Sequence, residues 1–230
     1  MIRWDQPGYV VAFTTRGGGV SDGVYASLNL TRGTGDAADK VEANRRIACE
    51  ALDLRYERLA FNRQVHSPTV HRAHPSARGE PGDGLWTDEP LLPILAMSAD
   101  CLPIAIARTD GPRALAVLHA GWRGLAEGVV EAGVRALSDD SSQGLAAIVG
   151  PAIGPCCYEV GPEVSSLFDD DLTVGRRLDL WTAAERALRR AGVERVERID
   201  LCTRDHPDLF FSHRRDGLAR GVQGVLGAVA

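Results

Sequence analysis

Two rhythms of apolar residues alternate along this chain. "GYVVAFTT", beginning at residue 8, is a short apolar run rich in β-branched and aromatic types, which predicts a strand. The glycine-rich "RGGGVSDG" behind it predicts a turn that brings backbone N–H groups close to a neighbour. The period then lengthens. In "DAADKVEANRRIACEALDL", Val41, Ile47, Ala48, Ala51 and Leu52 fall on one side at helical spacing, with Asp36 placed to cap the N-terminus. Strands are predicted over 59–66, 68–73, 92–97, 103–108 and 114–119, with "RTDGPR" as the turn between the last two. "GLAEGVVEAGVRALSDD" returns to helical spacing through Leu125, Val129, Val130, Val134 and Leu137. "AAIVG" predicts a strand that runs into "PAIGPCCYEVG", whose prolines and glycines forbid a regular element and predict a shaped loop. A helix over 180–191 should stop at Gly192, a natural residue to follow a helix end. A strand "RVERIDLCT", an aromatic strand "DLFFSHRRDG" and an apolar tail complete the order. Strands and helices are mixed throughout, which predicts an α+β (mixed α/β) fold of sheet layers flanked by outer helices. With no repeat, low-complexity tract or long linker, residues 1–230 are expected to form a single domain.

Composition narrows the partners. The net charge is −5 and the sequence pI about 5.7, which argues against a nucleic-acid binder, whose affinity rests on lysine and arginine neutralising phosphates. No segment approaches the ~20 apolar residues that span a bilayer, and the first residues carry no run suited to a signal peptide, so a cytoplasmic protein with no membrane partner is expected. Five cysteines in a chain large enough to fold without staples point to reduced thiols.

Chemistry concentrates in "SADCLPIAIARTDGPRALAVLHAGWRG", residues 98–124. Cys101, His119 and the turn Gly121-Trp122-Arg123-Gly124 stand where apolar strands end. The helix start after His119 would offer unpaired N–H groups to an anion, reinforced by Arg123, although Arg123 alone also reads as a surface ion-pairing residue. Two histidines and one cysteine make a known catalytic zinc set with the fourth position open. His66, in "FNRQVHSPTV", would be the third ligand; the spacings of 35 residues from His66 to Cys101 and 18 from Cys101 to His119 match no local metal signature, and a lone histidine is more often a hydrogen-bonded structural residue. His71 and His74 are expected to face solvent, while His206 and His213 stay open. The neighbours Cys156 and Cys157 should point to opposite sides of an extended chain, one for packing and one unassigned. Cys49 fits the buried side of the first helix, and Cys202 closes a strand without a reactive setting.

The motifs "TTRGGGVS", "SLNL", "NRQVHS", "DGLWT", "SADCLPI", "HAGWRG", "GPAIGPCCYEVG", "IDLCT" and "FFSHRRDG" together resemble the YfiH-like laccase-domain family over nearly the whole chain. The resemblance implies a zinc site made by His66, Cys101 and His119, and phosphorolysis of adenosine, inosine, guanosine and methylthioadenosine together with adenosine deamination. The partners would be a nucleoside and phosphate, on a monomer or weak homo-oligomer. In that setting Cys101 and His119 are catalytic candidates as well as ligands, Asp83 or Asp100 could serve as acid or base, and Arg16, Asn29 and Arg123 could meet substrate or phosphate. The family's older label, copper-dependent polyphenol oxidase, is disfavoured because a trinuclear copper cluster needs more imidazoles than six histidines supply. A metal-free Cys–His hydrolase acting on peptidoglycan precursors, with Cys101 as nucleophile and His119 as base, is the alternative; a non-catalytic binding module has little use for this set. Ser67 replaces the family's glycine after the "QVH" histidine, which bears on the shape of the site, and "DGLARGVQG" follows the family pattern only loosely, leaving Arg220 without a role.

Overall fold

The apolar runs pair into two six-stranded sheets, seen in a computed structural model that describes residues 1–138 and 144–230. The strands are β1 (Ile2–Trp4), β2 (Tyr9–Phe13), β3 (Ala60–Arg63), β4 (Val70–Arg72), β5 (Arg78–Pro81), β6 (Gly84–Thr87) and β7 (Ile94–Ser98). They continue with β8 (Leu102–Arg108), β9 (Leu115–Ala120), β10 (Leu145–Val149), the short pair β11 (Thr173–Val174) and β12 (Arg177–Leu178), β13 (Arg195–Arg198) and β14 (Gln223–Val229). The helices are α1 (Ala38–Glu50), α2 (Trp122–Ala126), α3 (Val129–Leu137), α4 (Pro162–Ser165), α5 (Leu180–Arg190) and α6 (His213–Asp216). The first sheet runs β1-β2-β14-β7-β3-β5 and the second β13-β10-β8-β9-β6-β4, each antiparallel in its middle with parallel pairs towards an edge. This is the α+β arrangement that the sequence predicts.

Four layers follow from which face each strand buries. Phe13, Ile94 and Val225 of the first sheet meet Ala105, Leu115, Val117 and Ile148 of the second in one core. On the far side of the second sheet, Ile104, Ile106 and Leu118 pack under Val130, Val134 and Leu137 of α3 and Ala184 and Leu188 of α5. On the far side of the first, Ala12, Leu95 and Leu226 pack under Ala48 and Cys49 of α1. Strands β8 and β9 are therefore covered on both faces, which is why their sequences run apolar without alternating. The sheets approach closely where side chains are missing: a Cβ on Gly150 would lie 2.2 Å from the Phe13 ring.

Several elements depart from the sequence expectation. Asp36 does not cap α1, whose N-cap is Ala37; its carboxylate accepts instead from Ser21 Oγ, Asn29 Nδ2 and the Ala37 amide. Ala51 falls outside that helix and is exposed. The helix after His119 is two helices, because Gly128 takes φ +91° between α2 and α3, and its predicted residues 139 and 140 lie outside the described residues. The strand predicted over 59–66 stops at Arg63, and "RVERIDLCT" stops pairing as a strand at Arg198. "DLFFSHRRDG" is not a strand. Phe210 and Phe211 are buried in a loop because the Gln223 side chain takes the place of a ladder partner, accepting from Phe211 N at 2.8 Å and donating to Phe211 O at 3.0 Å. Ser212 then caps α6. The apolar tail becomes β14, between β2 and β7. The helix over 180–191 is α5, with Gly192 at φ +92° beyond its end as predicted. No helix among the described residues is long and apolar enough to cross a membrane.

Ile106 is fully buried between the second sheet and α3, so Ile106→Ala should cost about 2–5 kcal/mol through lost transfer energy and an unfilled cavity. Val174→Ala, at a position 80% exposed, should stay within about 0.5 kcal/mol. Urea midpoints of the two variants read this directly, and equal midpoints would contradict the layer assignment.

Candidate metal centre

Three strand ends build the site. β3 ends at Arg63 and delivers His66 on the following loop; β7 ends at Ser98 and turns through Asp100 into Cys101; His119 is the penultimate residue of β9. His66 and Asp100 take φ +61° and +89°, conformations that side-chain-bearing residues adopt only when their surroundings hold them there. Hydrogen bonds do so in both cases.

At His66 the holding group is Asp83, just ahead of β6 and 1% exposed. One carboxylate oxygen accepts from His66 N at 2.9 Å and faces His119 Nδ1 at 2.8 Å. The other accepts from Val65 N at 3.0 Å, Ser67 N at 2.7 Å and Ser67 Oγ at 3.0 Å. Burial works to raise the Asp83 carboxyl, but the His119 contact and these amides outweigh it and hold it down at about 2. Asp100 plays the matching part on the other side: its carboxylate accepts from Thr203 Oγ1 and from Arg214 N, each at 2.6 Å, which locks the turn carrying Cys101.

These braces bring together the three residues that the sequence singles out. Cys101 Sγ lies 3.8 Å from His66 Nε2, and the His66 and His119 rings meet edge to face with centroids 4.8 Å apart. One ligand atom from each of the three falls within 4.8 Å of the others. Because His119 Nδ1 is committed to Asp83, its Nε2 is the nitrogen left for the centre. Burial acts to raise the Cys101 thiol, and the two imidazoles overcome it and pull the thiol below its ordinary value; burial acts to lower His119, and Cys101 and Asp83 together raise it. A thiolate and two imidazoles, one backed by a carboxylate, form a donor set that suits zinc. Gly121 is required beside it, since a Cβ there would come within 2.8 Å of the His66 ring and 3.0 Å of Cys101 Sγ. The Ser67 hydroxyl is turned towards Asp83 rather than into the site, so it adds a bond to the brace without narrowing the opening.

The exposed side of His66 opens on a cleft of about 830 Å³ beyond the C-terminal ends of β3 and β7. Phe61 and Met97 give it apolar wall, and Arg45, Arg63, Arg78 and Arg220 give it positive charge. Arg45 lies 4.1 Å over the Phe61 ring and donates to Leu30 O; burial lowers its guanidinium to about 10 against the pull of Glu42. Arg220 donates from Nη1 to Gly217 O and Leu218 O, while its buried Nε has no hydrogen-bond partner. Arg220 was invisible as a site residue in the sequence, because its placement depends on the loop ahead of β14 folding back over the cleft. His213, which the sequence leaves open, lines the cleft too.

Other candidates stand elsewhere. Asp83 and Asp100 sit behind the ligands rather than in the cleft. Arg16 donates to Ala26 O and Pro207 O and stacks 4.7 Å over Phe211, tying loops together. Asn29 is fully buried and accepts from Thr31 N and Val222 N, fixing the segment that forms one rim. Arg123 is exposed, stacks 4.9 Å over Trp122 and does not line the cleft, because α2 turns that side outward.

A family model described as multi-copper polyphenol oxidoreductase laccase matches residues 10–229. Among curated relatives, a purine nucleoside phosphorylase from Haemophilus influenzae is 34% identical over 97% of this chain and 96% of its own length. One from Pseudomonas aeruginosa is 39% identical over 92% and 90%. Among solved structures, YlmD from Geobacillus stearothermophilus superposes with a TM-score of 0.87 at 32% identity, covering 97% of this chain and 92% of that one. A Neisseria meningitidis protein gives 0.87 at 34% identity over 97% and 95%.

Asp83→Asn replaces an acceptor oxygen with a donor that the facing amides cannot use. Zinc affinity, measured by competition against a chromophoric chelator, should fall about 10–100-fold while the protein stays folded. Unchanged affinity would show that the brace does not orient the ligands.

Proposed function

The chain belongs to the family described as multi-copper polyphenol oxidoreductase laccase, and on that footing we propose that it is a zinc-dependent purine nucleoside phosphorylase that also deaminates adenosine. The observation that carries the proposal is the convergence of His66, Cys101 and His119 at the edge of an arginine-lined cleft large enough for a nucleoside and phosphate. The phosphorylase activity for which the relatives are named supports it. Of six histidines only His66 and His119 join this cluster, which is too few for the copper set that the family description names.

In phosphorolysis a phosphate oxygen bonds to the ribose C1′ as the C1′–N9 bond breaks; the electron pair leaves with the purine, which takes up a proton. The chain must hold an anion against C1′ and keep bulk water away. Arg220 is the side chain we assign to the phosphate, since it lines the cleft together with His66, Cys101 and His119 and carries the permanent positive charge that a phosphate needs. Phe61 and Met97 supply apolar surface for the base. Asp83 and Asp100 act as positioning residues that hold His119, His66 and Cys101, and Arg16 and Asn29 hold the rim. Zinc held by His66, Cys101 and His119 would supply a Lewis acid and a polarised water. In deamination, water adds at C6 of adenosine and ammonia leaves. Five cysteines without a disulfide fit a cytoplasmic setting.

The lowered Cys101 thiol beside two histidines favours one rival, a metal-free cysteine hydrolase. Purified protein supplied with inosine should release hypoxanthine and ribose 1-phosphate only when phosphate is present, whereas adenosine should become inosine in phosphate-free buffer. Cys101→Ser should lose the zinc equivalent held with His66 and His119 and both activities together. A Cys101→Ser protein that binds as much zinc as the intact chain but has lost its turnover, or inosine cleavage indifferent to phosphate, would withdraw the phosphorylase.

Arg220→Ala should raise the KM for phosphate about ten-fold or more, the effect of losing one charge-assisted hydrogen bond of about 1.5–3 kcal/mol, with zinc content unchanged. An unaltered phosphate dependence would return Arg220 to a purely structural part.

A further inference from the structure

A second cluster of metal-ligating groups lies away from this centre, in the "PAIGPCCYEVG" loop and the segment after β13. The loop is not extended at its cysteines. Cys157 N and Tyr158 N both donate to Gly154 O, at 2.9 and 3.0 Å, so the chain turns tightly and the two neighbouring thiols converge instead of diverging. Cys156 Sγ lies 3.1 Å from Asp205 Oδ2 and Cys157 Sγ 3.0 Å from Asp205 Oδ1. Cys202 enters from the facing segment, fixed by a bridge to Ala152, and its sulfur accepts the Gly154 N–H at 3.3 Å. The sequence expectation of one packing cysteine, one unassigned cysteine and an unremarkable strand-end Cys202 gives way to a single cluster.

We propose that Cys156, Cys157, Cys202 and Asp205 form a structural zinc site. Their ligand atoms all lie within 4.8 Å of one another, close to the spacing of about 3.7 Å that a tetrahedron with Zn–S distances near 2.3 Å imposes, so side-chain rotations suffice to close it. Three sulfurs and one carboxylate oxygen are a soft donor set that selects zinc over magnesium or calcium. The N–H directed at Cys202 Sγ stabilises a thiolate there. Cys157 and Cys202 are buried while Cys156 and Asp205 are exposed, which leaves an entry path from solvent.

The bound ion would add a cross-link between two stretches of chain already paired through Ala152 and Cys202. One of them carries Thr203, whose hydroxyl fixes Asp100 and hence the Cys101 turn. The site thus stiffens the platform beneath the candidate metal centre without touching substrate, and it depends on no assumption about the reaction.

Metal-stripped protein, kept reduced, is titrated with zinc against a chromophoric chelator, and with cobalt while thiolate charge-transfer absorption is followed. The intact chain should take up one equivalent more than Cys202→Ser, and the cobalt absorption of the intact chain should exceed that variant's by the share of several thiolates. Cys101→Ser should retain the equivalent that Cys202→Ser loses, which separates failure of this site from failure of the other. Cys156→Ser and Asp205→Asn alter exposed positions and repeat the measurement if Cys202→Ser does not fold; each should weaken this equivalent and leave inosine phosphorolysis in place. Zinc uptake and cobalt absorption identical in the intact chain, Cys156→Ser and Asp205→Asn would overturn the proposal.

Discussion

A carboxylate with almost no exposure to water holds the candidate centre together. Ionised and buried, Asp83 would be strongly destabilising if its oxygens were left unpaired, so the fold must keep donors on it. The amides of residues 65–67 and the His119 ring meet that demand, and in meeting it they fix a left-handed His66 and the tautomer of His119. The positions of two candidate ligands are thereby a by-product of satisfying a third residue's charge. Asp100 repeats the device for Cys101 with Thr203 and the Arg214 amide.

The layers explain why such a brace is possible. His119 N donates to Asp83 O, extending the pairing of β6 with β9 by one residue into the site, so the carboxylate is anchored to the second sheet. The first sheet contributes His66 and the cleft wall from the ends of β3 and β7. Ligands from both sheets can meet only where the sheets lie close, and Gly121 and Gly150 mark positions where even a methyl group would intrude.

What could be read from the sequence followed local rules. The strands around 103–108 and 114–119 were legible because both faces are buried, and α5 because its apolar period ends on a glycine at positive φ. β5, with every residue exposed and no alternation, offered no pattern, and "DLFFSHRRDG" misled because the side chain of Gln223, beyond the segment itself, satisfies its backbone. Residue spacing alone left His66, Cys101 and His119 undecided; the motifs around them singled them out. Arg220, and the convergence of Cys156 with Cys157, depend on how loops close in space, which neither periodicity nor spacing encodes.

The place of β14 has a consequence for how the chain reaches this structure. Phe13 pairs with Val225 in the middle of the first sheet, whereas Arg108 and Leu115 are joined by a short turn in the second. Loop-closure entropy grows with the logarithm of loop length, so bringing β2 to β14 costs about 3 kcal/mol more than closing the β8–β9 hairpin. The β8–β9 hairpin therefore closes at little entropic cost, whereas the middle of the first sheet forms only when the two ends of the chain are brought together. Pairing between such distant segments is the kind that slows folding in chains of high contact order, and here it is the pairing that covers the inner face of the second sheet.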